Sequence, residues 1–268
     1  MKDKTRIISI IAAAFVCLIP AGAFADSDKN YYSGVGIEGF TDRYREPGGL
    51  ESNATYGAIT GNYTQYFNRV FGALDGRASY GKNRYSHTTD GTKSDIPQWE
   101  FDGRIRGGAT FALGEDSVLS PYVGVGLRYF VDNGKGVVTD RGYAGYDRRI
   151  MQAYVPLGVT YTIYGSSGWF VAPNVEYDAL FWGKVNSRLH NAGAGFYNIN
   201  NTQTSGYGIR GELMFGQTPQ NSFGWEFGPF VRYWNVKDSN VVTAPNGSQW
   251  VEPQNDRLQI GIALKVFW

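Results

Sequence analysis

The residues of this chain with chemistry to offer are few. It has two histidines, His87 and His190, and a single cysteine, Cys17. His87 is followed by Thr88 and His190 by Asn191, so neither has an acidic partner beside it. A catalytic base needs such a partner to orient it. Two carboxylate pairs, Glu100 with Asp102 and Glu176 with Asp178, have the i, i+2 spacing that places both members on one face of a strand. Paired carboxylates can divide acid and base duties, but here arginines share the same face and the pairs read as partners in ion pairs. No phosphate loop, zinc spacing or calcium loop is present. No catalytic, cofactor-binding or metal-ligating residue is therefore assigned, and no cofactor is expected.

The elements that carry these charges are strands. Trp99, Phe101, Ile105, Ala109 and Phe111 interleave with Glu100, Asp102, Arg104, Arg106 and Thr110, a period of two with one oily and one wet face. The same alternation recurs in about ten runs, each meeting the roughly 9 to 11 residues that a tilted membrane strand needs. The wet faces collect Glu38, Asp75, Arg77, Glu100, Asp102, Arg104, Arg106, Arg128, Glu176, Asp178, Arg210, Glu212, Glu226, Arg232 and Lys265. Their signs nearly balance, and charges taken out of water need partners. The expectation is a charge network filling the inside of a narrow barrel.

Composition points the same way. The chain has 268 residues with 36 glycines, 16% aromatic and 18% charged residues, and a mean hydropathy of −0.33. That hydropathy excludes a helical membrane bundle and is compatible with strands that are apolar on one side only. Residues 1–25 read as a cleaved secretory signal: basic Lys2, Lys4 and Arg6, an apolar run from Ile7 to Ile19, and Ala23-Phe24-Ala25 as the cleavage site. Residues 26–268 are then one domain, without a thiol, because Cys17 leaves with the leader. The formal charge moves from +1 to −1 as Lys2, Lys4, Arg6 and Asp3 depart, so nucleic acid is not an expected partner.

Loop lengths and aromatics sharpen the picture. The sequence predicts long loops at Arg43–Ala54, Gly81–Ile96, Asn133–Arg148, Gly183–Thr204 and Val236–Gln254, alternating with short turns. This asymmetry places long loops outside and both termini in the periplasm. Tyr31, Phe111, Tyr161, Trp169, Phe215, Trp225 and Trp268 sort to one rim, and Tyr80, Trp99, Tyr129, Tyr177, Tyr207 and Tyr233 to the other, as two interfacial girdles would. Pro156, Pro173 and Pro229 fall inside strands, where each removes a ladder donor and predicts a bulge.

The final run, RLQIGIALKVFW, ends an apolar face on an aromatic, with Leu264, Val266 and Trp268 in phase. It resembles the last strand by which bacterial outer-membrane barrels are recognised by their assembly machinery. SYG around Tyr80, PYVGVGLRYF from Pro121, SGYGIRGEL from Ser205 and FGPFVRYWNVKDS from Phe227 are similar to the small porin-like members of the outer-membrane β-barrel superfamily. The resemblance implies an all-β, antiparallel up-and-down transmembrane barrel of about 10 strands, with 12 or 8 as alternatives. It also implies an outer-membrane location, lipid and lipopolysaccharide as surroundings, and a monomer.

Three roles stay open at this point. A structural or surface-interaction barrel with a filled lumen comes first, a narrow channel for small solutes second, and an outer-membrane hydrolase third. Omptin-type proteases use an Asp-His dyad with a second acidic pair, and lipid A deacylases a His with a Ser two residues on. Asn191 after His190 and Thr88 after His87 do not match the first pattern, and Ala192, two residues after His190, does not match the second.

Overall fold

A computed structural model describes residues 31–219 and 223–268. The leader with Cys17, the lead-in 26–30 and part of the turn expected at Gln217–Ser222 lie outside the described residues. Ten long strands form the body: β1 Tyr31–Glu46, β2 Leu50–Phe67, β3 Val70–His87, β4 Gly91–Ala109, β5 Ser117–Asn133, β6 Asp147–Tyr164, β7 Trp169–Arg188, β8 Gly206–Gln217, β9 Gly224–Val236 and β10 Asn255–Phe267. Each pairs antiparallel with the next, and β1 pairs with β10 from Gly34↔Phe267 to Arg45↔Asp256. The sheet is thus a closed up-and-down barrel, and closure leaves no unpaired edge.

Alternation decides which side chains face where. Ile37, Ile59, Ile105, Val125, Leu157, Val175, Ile260 and Ile262 point outward and are exposed, while the residues between them point into the bore. Outward rings make two belts. Tyr80 packs on Trp99 at 4.6 Å, and Tyr177, Tyr207 and Tyr233 follow one another at 6.1 and 6.2 Å. At the other rim Trp169 meets Trp225 at 5.4 Å, next to Phe215 and Phe227. Tyr233 and Trp225 lie eight positions apart on β9; at ~3.3 Å per residue and the usual tilt this gives about 20 Å, close to the height of an outer-membrane apolar band. The outward face between the belts carries no charge, and Lys82 with Asp95 appears just past Tyr80.

Several expected loops are strand. Only 47–49 and 88–90 separate β1 from β2 and β3 from β4, so Arg43–Ala54 and Gly81–Ile96 largely continue the ladder. Polar composition misled because these segments stand beyond the upper belt, where the outward face meets water and the buried inward face also carries polar residues such as Ser52 and Asn83. The loop 134–146 fits its expected place, and 237–254 does too, with a small hairpin of Val242–Thr243 and Gln249–Trp250. In Gly183–Thr204, Ile199–Gln203 pairs with the end of β7 and carries the line of β8 past that belt.

The prolines are accommodated without slippage. The β5–β6 ladder skips from Val123↔Leu157 to Gly126↔Tyr154 around Pro156, β6–β7 from Thr160↔Asn174 to Ile163↔Val171 around Pro173, and β8–β9 from Glu212↔Phe230 to Phe215↔Phe227 around Pro229. Register is the same on both sides of each gap, so the expected bulges are replaced by two missing pairs. A true shift occurs at Phe181, where Ala153 faces Trp182 but Tyr154 faces Leu180. Phe181 and Trp182 are both exposed there, and the inward parity of β7 changes from even to odd.

Candidate functional site

The bore is filled by side chains from all around the ring, in layers. Nearest the end that carries Tyr31 and Trp268, Lys265 Nζ lies 3.0 Å from Glu226 Oε1. Above them Arg106 donates twice to Asp75, at 2.6 and 2.9 Å, and Arg104 Nη1 donates to Glu176 Oε1 at 2.6 Å. Tyr122 adds a 2.8 Å bond to the same carboxylate.

The middle layer is the densest. Arg232 forks onto both oxygens of Glu38 at 2.9 and 2.7 Å and approaches Glu212 at 3.7 Å. Arg77 bridges Glu38 and Glu100. Arg210 holds three carboxylates: Asp178 at 2.7 Å, Glu176 at 3.1 Å and Asp102 at 3.1 Å. Tyr154, fully buried, donates to Asp102 and accepts from Arg210 at 2.8 Å. The Tyr154 ring needs a glycine neighbour, since a Cβ on Gly126 would stand 2.2 Å from it. Gly158 seats the Tyr122 ring in the same way.

A third layer closes the bore. Arg257 pairs with Asp42 at 2.6 Å and Glu100 at 3.1 Å, and Gln259 donates to the same two carboxylates at 2.7 and 2.9 Å. Past the upper belt, Arg148 gathers Glu46, Glu252 and the Tyr44 hydroxyl. Burial pushes the Glu252 carboxyl up to about 7 despite the Arg148 guanidinium beside it. In the exposed loop, Asp140 is held below the usual carboxylate range by bonds from the Thr92 amide and hydroxyl.

Two cavities approach this plug from opposite ends. One of about 270 Å³ is lined by Tyr32, Asn62, Arg106, Glu226 and Lys265 among others, and reaches Arg77, Asp102 and Arg210. The other, about 380 Å³, opens among the loops and reaches Arg128, Gln98, Asp42 and Arg257. They have no lining residue in common. Between them stand Glu100, Gln259, Tyr154 and Asp178, all essentially without solvent contact.

All fifteen charged positions picked from the wet faces point into the bore, and fourteen of them join in ion pairs; Arg128 stands apart, with its guanidinium 4.6 Å over the Trp234 ring. Asp42 and Arg257 were missed although they share the parity of Glu38 and Lys265. Tyr122, Tyr154 and Gln259 lie on the wet side of the alternation, but nothing in the sequence shows that they bond to the charges. Leu264 and Val266 face outward, whereas Phe267 turns inward onto Tyr32, and Trp268 exchanges backbone bonds with Ser33 at 2.9 and 3.1 Å. His87 lines the loop-end cavity with Nδ1 3.0 Å from Asp90 and 3.3 Å from the Asp90 amide, contacts that close the 88–90 turn. His190 is engaged with Asn198 and Asn191 in a short turn elsewhere. Among the described residues no cluster of His, Cys, Asp and Glu could hold a metal.

No protein-family model matches the chain, and no curated protein matches it in sequence. Solved structures do match. The chain is similar to the outer membrane protease OmpT from Escherichia coli, with a TM-score of 0.58 at 10% identity over 92% of this chain and 99% of that one. It is also similar to the transport unit of the autotransporter AIDA-I from Escherichia coli, with TM-score 0.48, 7% identity and coverage of 95% and 96%. The translocator domain of the autotransporter NalP from Neisseria meningitidis gives 0.45, 10%, 97% and 97%.

Proposed function

The chain has the fold of Gram-negative outer-membrane β-barrels, and we propose that it is a closed, non-conducting member with a structural or surface-interaction role. The observation that carries this is the pair of cavities that share no lining residue, with a buried ion-pair layer between them. Ions entering that layer would have to displace guanidiniums that each hold two or three carboxylates, and breaking a buried pair costs about 3–5 kcal/mol. In this reading both termini face the periplasm, the 134–146, 189–198 and 237–254 loops face outward, and the final strand with Leu264, Val266 and Trp268 serves assembly. The barrel is monomeric, held in lipid and lipopolysaccharide.

Proteoliposomes carrying the barrel should swell in a small neutral sugar no faster than protein-free liposomes. Swelling at the rate of an open porin would overturn the closed reading. Deleting 134–146 and 189–198 should lower adhesion of cells bearing the protein, and unchanged adhesion would leave the structural role alone.

A narrow channel is the second reading. It draws on the plug being made of side chains from the barrel wall rather than an inserted segment, so a rearrangement of Arg210 and Arg257 would join the two cavities.

A further inference from the structure

Of the fifteen charged residues expected on the wet faces, Arg128 is the one that no ion pair holds among the described residues. It is 6% exposed, yet among the described residues it has no hydrogen-bond acceptor and no carboxylate oxygen within 4.0 Å. Its neighbours Arg210 and Arg257 hold three and two carboxylates. Glu100 and Asp102 act on Arg128 only from beyond contact range. The Arg128 guanidinium finds no acceptor among the described residues and lines an open cavity, so its donors are available to a ligand there.

The Arg128 side chain stacks over Trp234 at 4.6 Å and lines the 380 Å³ cavity that opens among the loops. Gln152, directly opposite in the ladder, lines the same cavity, and its Oε1 also lacks a partner. The rings of Tyr44, Phe130 and Tyr146 contribute apolar wall. A concave space of this size, walled by rings and by convergent polar groups, can hold a small molecule.

We propose that this cavity binds a small organic carboxylate, with the carboxylate forked on the Arg128 guanidinium and the body lying between the rings. A planar guanidinium offers two parallel donors to such an anion. Charge favours a single negative group over a phosphate dianion. Asp42, Glu46, Asp90 and Asp132 line the cavity against Lys93, Arg128, Arg148 and Arg257, so the wall has no surplus of positive charge to hold a second one.

The test is titration of the micelle-solubilised barrel with benzoate and with D-glucuronate, beside benzamide and D-glucose as neutral counterparts. Binding is read by calorimetry and by ligand-observed NMR, with empty micelles subtracted. At least one carboxylate should bind ten or more times tighter than its counterpart. Arg128→Gln should lower that affinity at least tenfold. Gln152→Glu, which keeps Arg128 and gives it a carboxylate of the protein's own, should do the same, and it carries the test if Arg128→Gln does not fold. Equal binding of charged and neutral probes, no binding of either carboxylate, or binding that survives the substitutions would overturn the proposal.

Discussion

Arg210 on β8 donates to Asp102 on β4 across the bore, Nη2 to Oδ2 at 3.1 Å, although their strands stand four apart in a ring of ten. A side-chain chord of this kind ties opposite walls together where the backbone ladder links only neighbours. The first prediction follows from its burial. Arg210→Ala leaves Asp102, Glu176 and Asp178 without their shared cation and should cost about 3–5 kcal/mol. Arg45→Ala, which breaks the exposed Arg45–Asp256 pair, should cost about 1 kcal/mol or less. Urea unfolding in micelles followed by tryptophan fluorescence checks both, and equal effects would remove the energetic distinction between lumen and surface pairs.

Close approach of backbone to ring gives the second. A methyl on Gly126 would meet the Tyr154 ring at 2.2 Å, whereas one on Gly39 meets nothing within 4 Å. Gly126→Ala should therefore destabilise by about 1–3 kcal/mol through overpacking, and Gly39→Ala should stay within about 0.5 kcal/mol. The same unfolding assay decides; indifference at Gly126 would mean that Tyr154 is not pinned against β5.

The apolar belt gives the third. Ile262 is 69% exposed and midway between the two rings of aromatics, while Thr55 faces outward just past Tyr80, opposite Lys82. Ile262→Arg should cost about 2–4 kcal/mol in lipid, the value for arginine at a bilayer midplane, and Thr55→Arg close to nothing. Folding equilibria in lipid vesicles measure this, and a similar cost at the two sites would misplace the belt.

The fourth concerns pH. Burial raises Glu252 from its ordinary 4.5 to about 7, so the folded loop binds its proton more tightly than the unfolded one. That contribution is complete below 4.5 and is lost as pH rises through 7. Glu252 and Ser239 fasten the 237–254 loop by bonds of 3.0 and 2.8 Å. Hydrogen exchange at these amides, corrected for intrinsic rate, should show more protection at pH 6 than at pH 8, and Glu252→Gln should abolish the difference. Equal protection in the native protein would contradict the assignment.

Strand number, closure and the direction of the charged side chains were legible in the sequence because period-two alternation is strict between the aromatic belts. Beyond the belts the signal fails for a physical reason. Around Arg43–Ala54 and Gly81–Ile96 the outward face is wet and the buried inward face is itself polar in places, as at Ser52 and Asn83, so composition does not separate them from loops. Partner choice was not legible either. Parity brings Arg210 inward but is silent on whether it meets Glu176 next door or Asp102 across the bore, since that depends on curvature and on small residues such as Gly126 making room for Tyr154.

The closed lumen is the central claim, and planar-bilayer recording tests it most directly. Purified barrel should add no steady current to the bilayer, while Arg210→Ala combined with Arg257→Ala should produce discrete openings as the layer between the two cavities loses two of its cations. Steady open-state conductance from the unaltered protein would contradict the account.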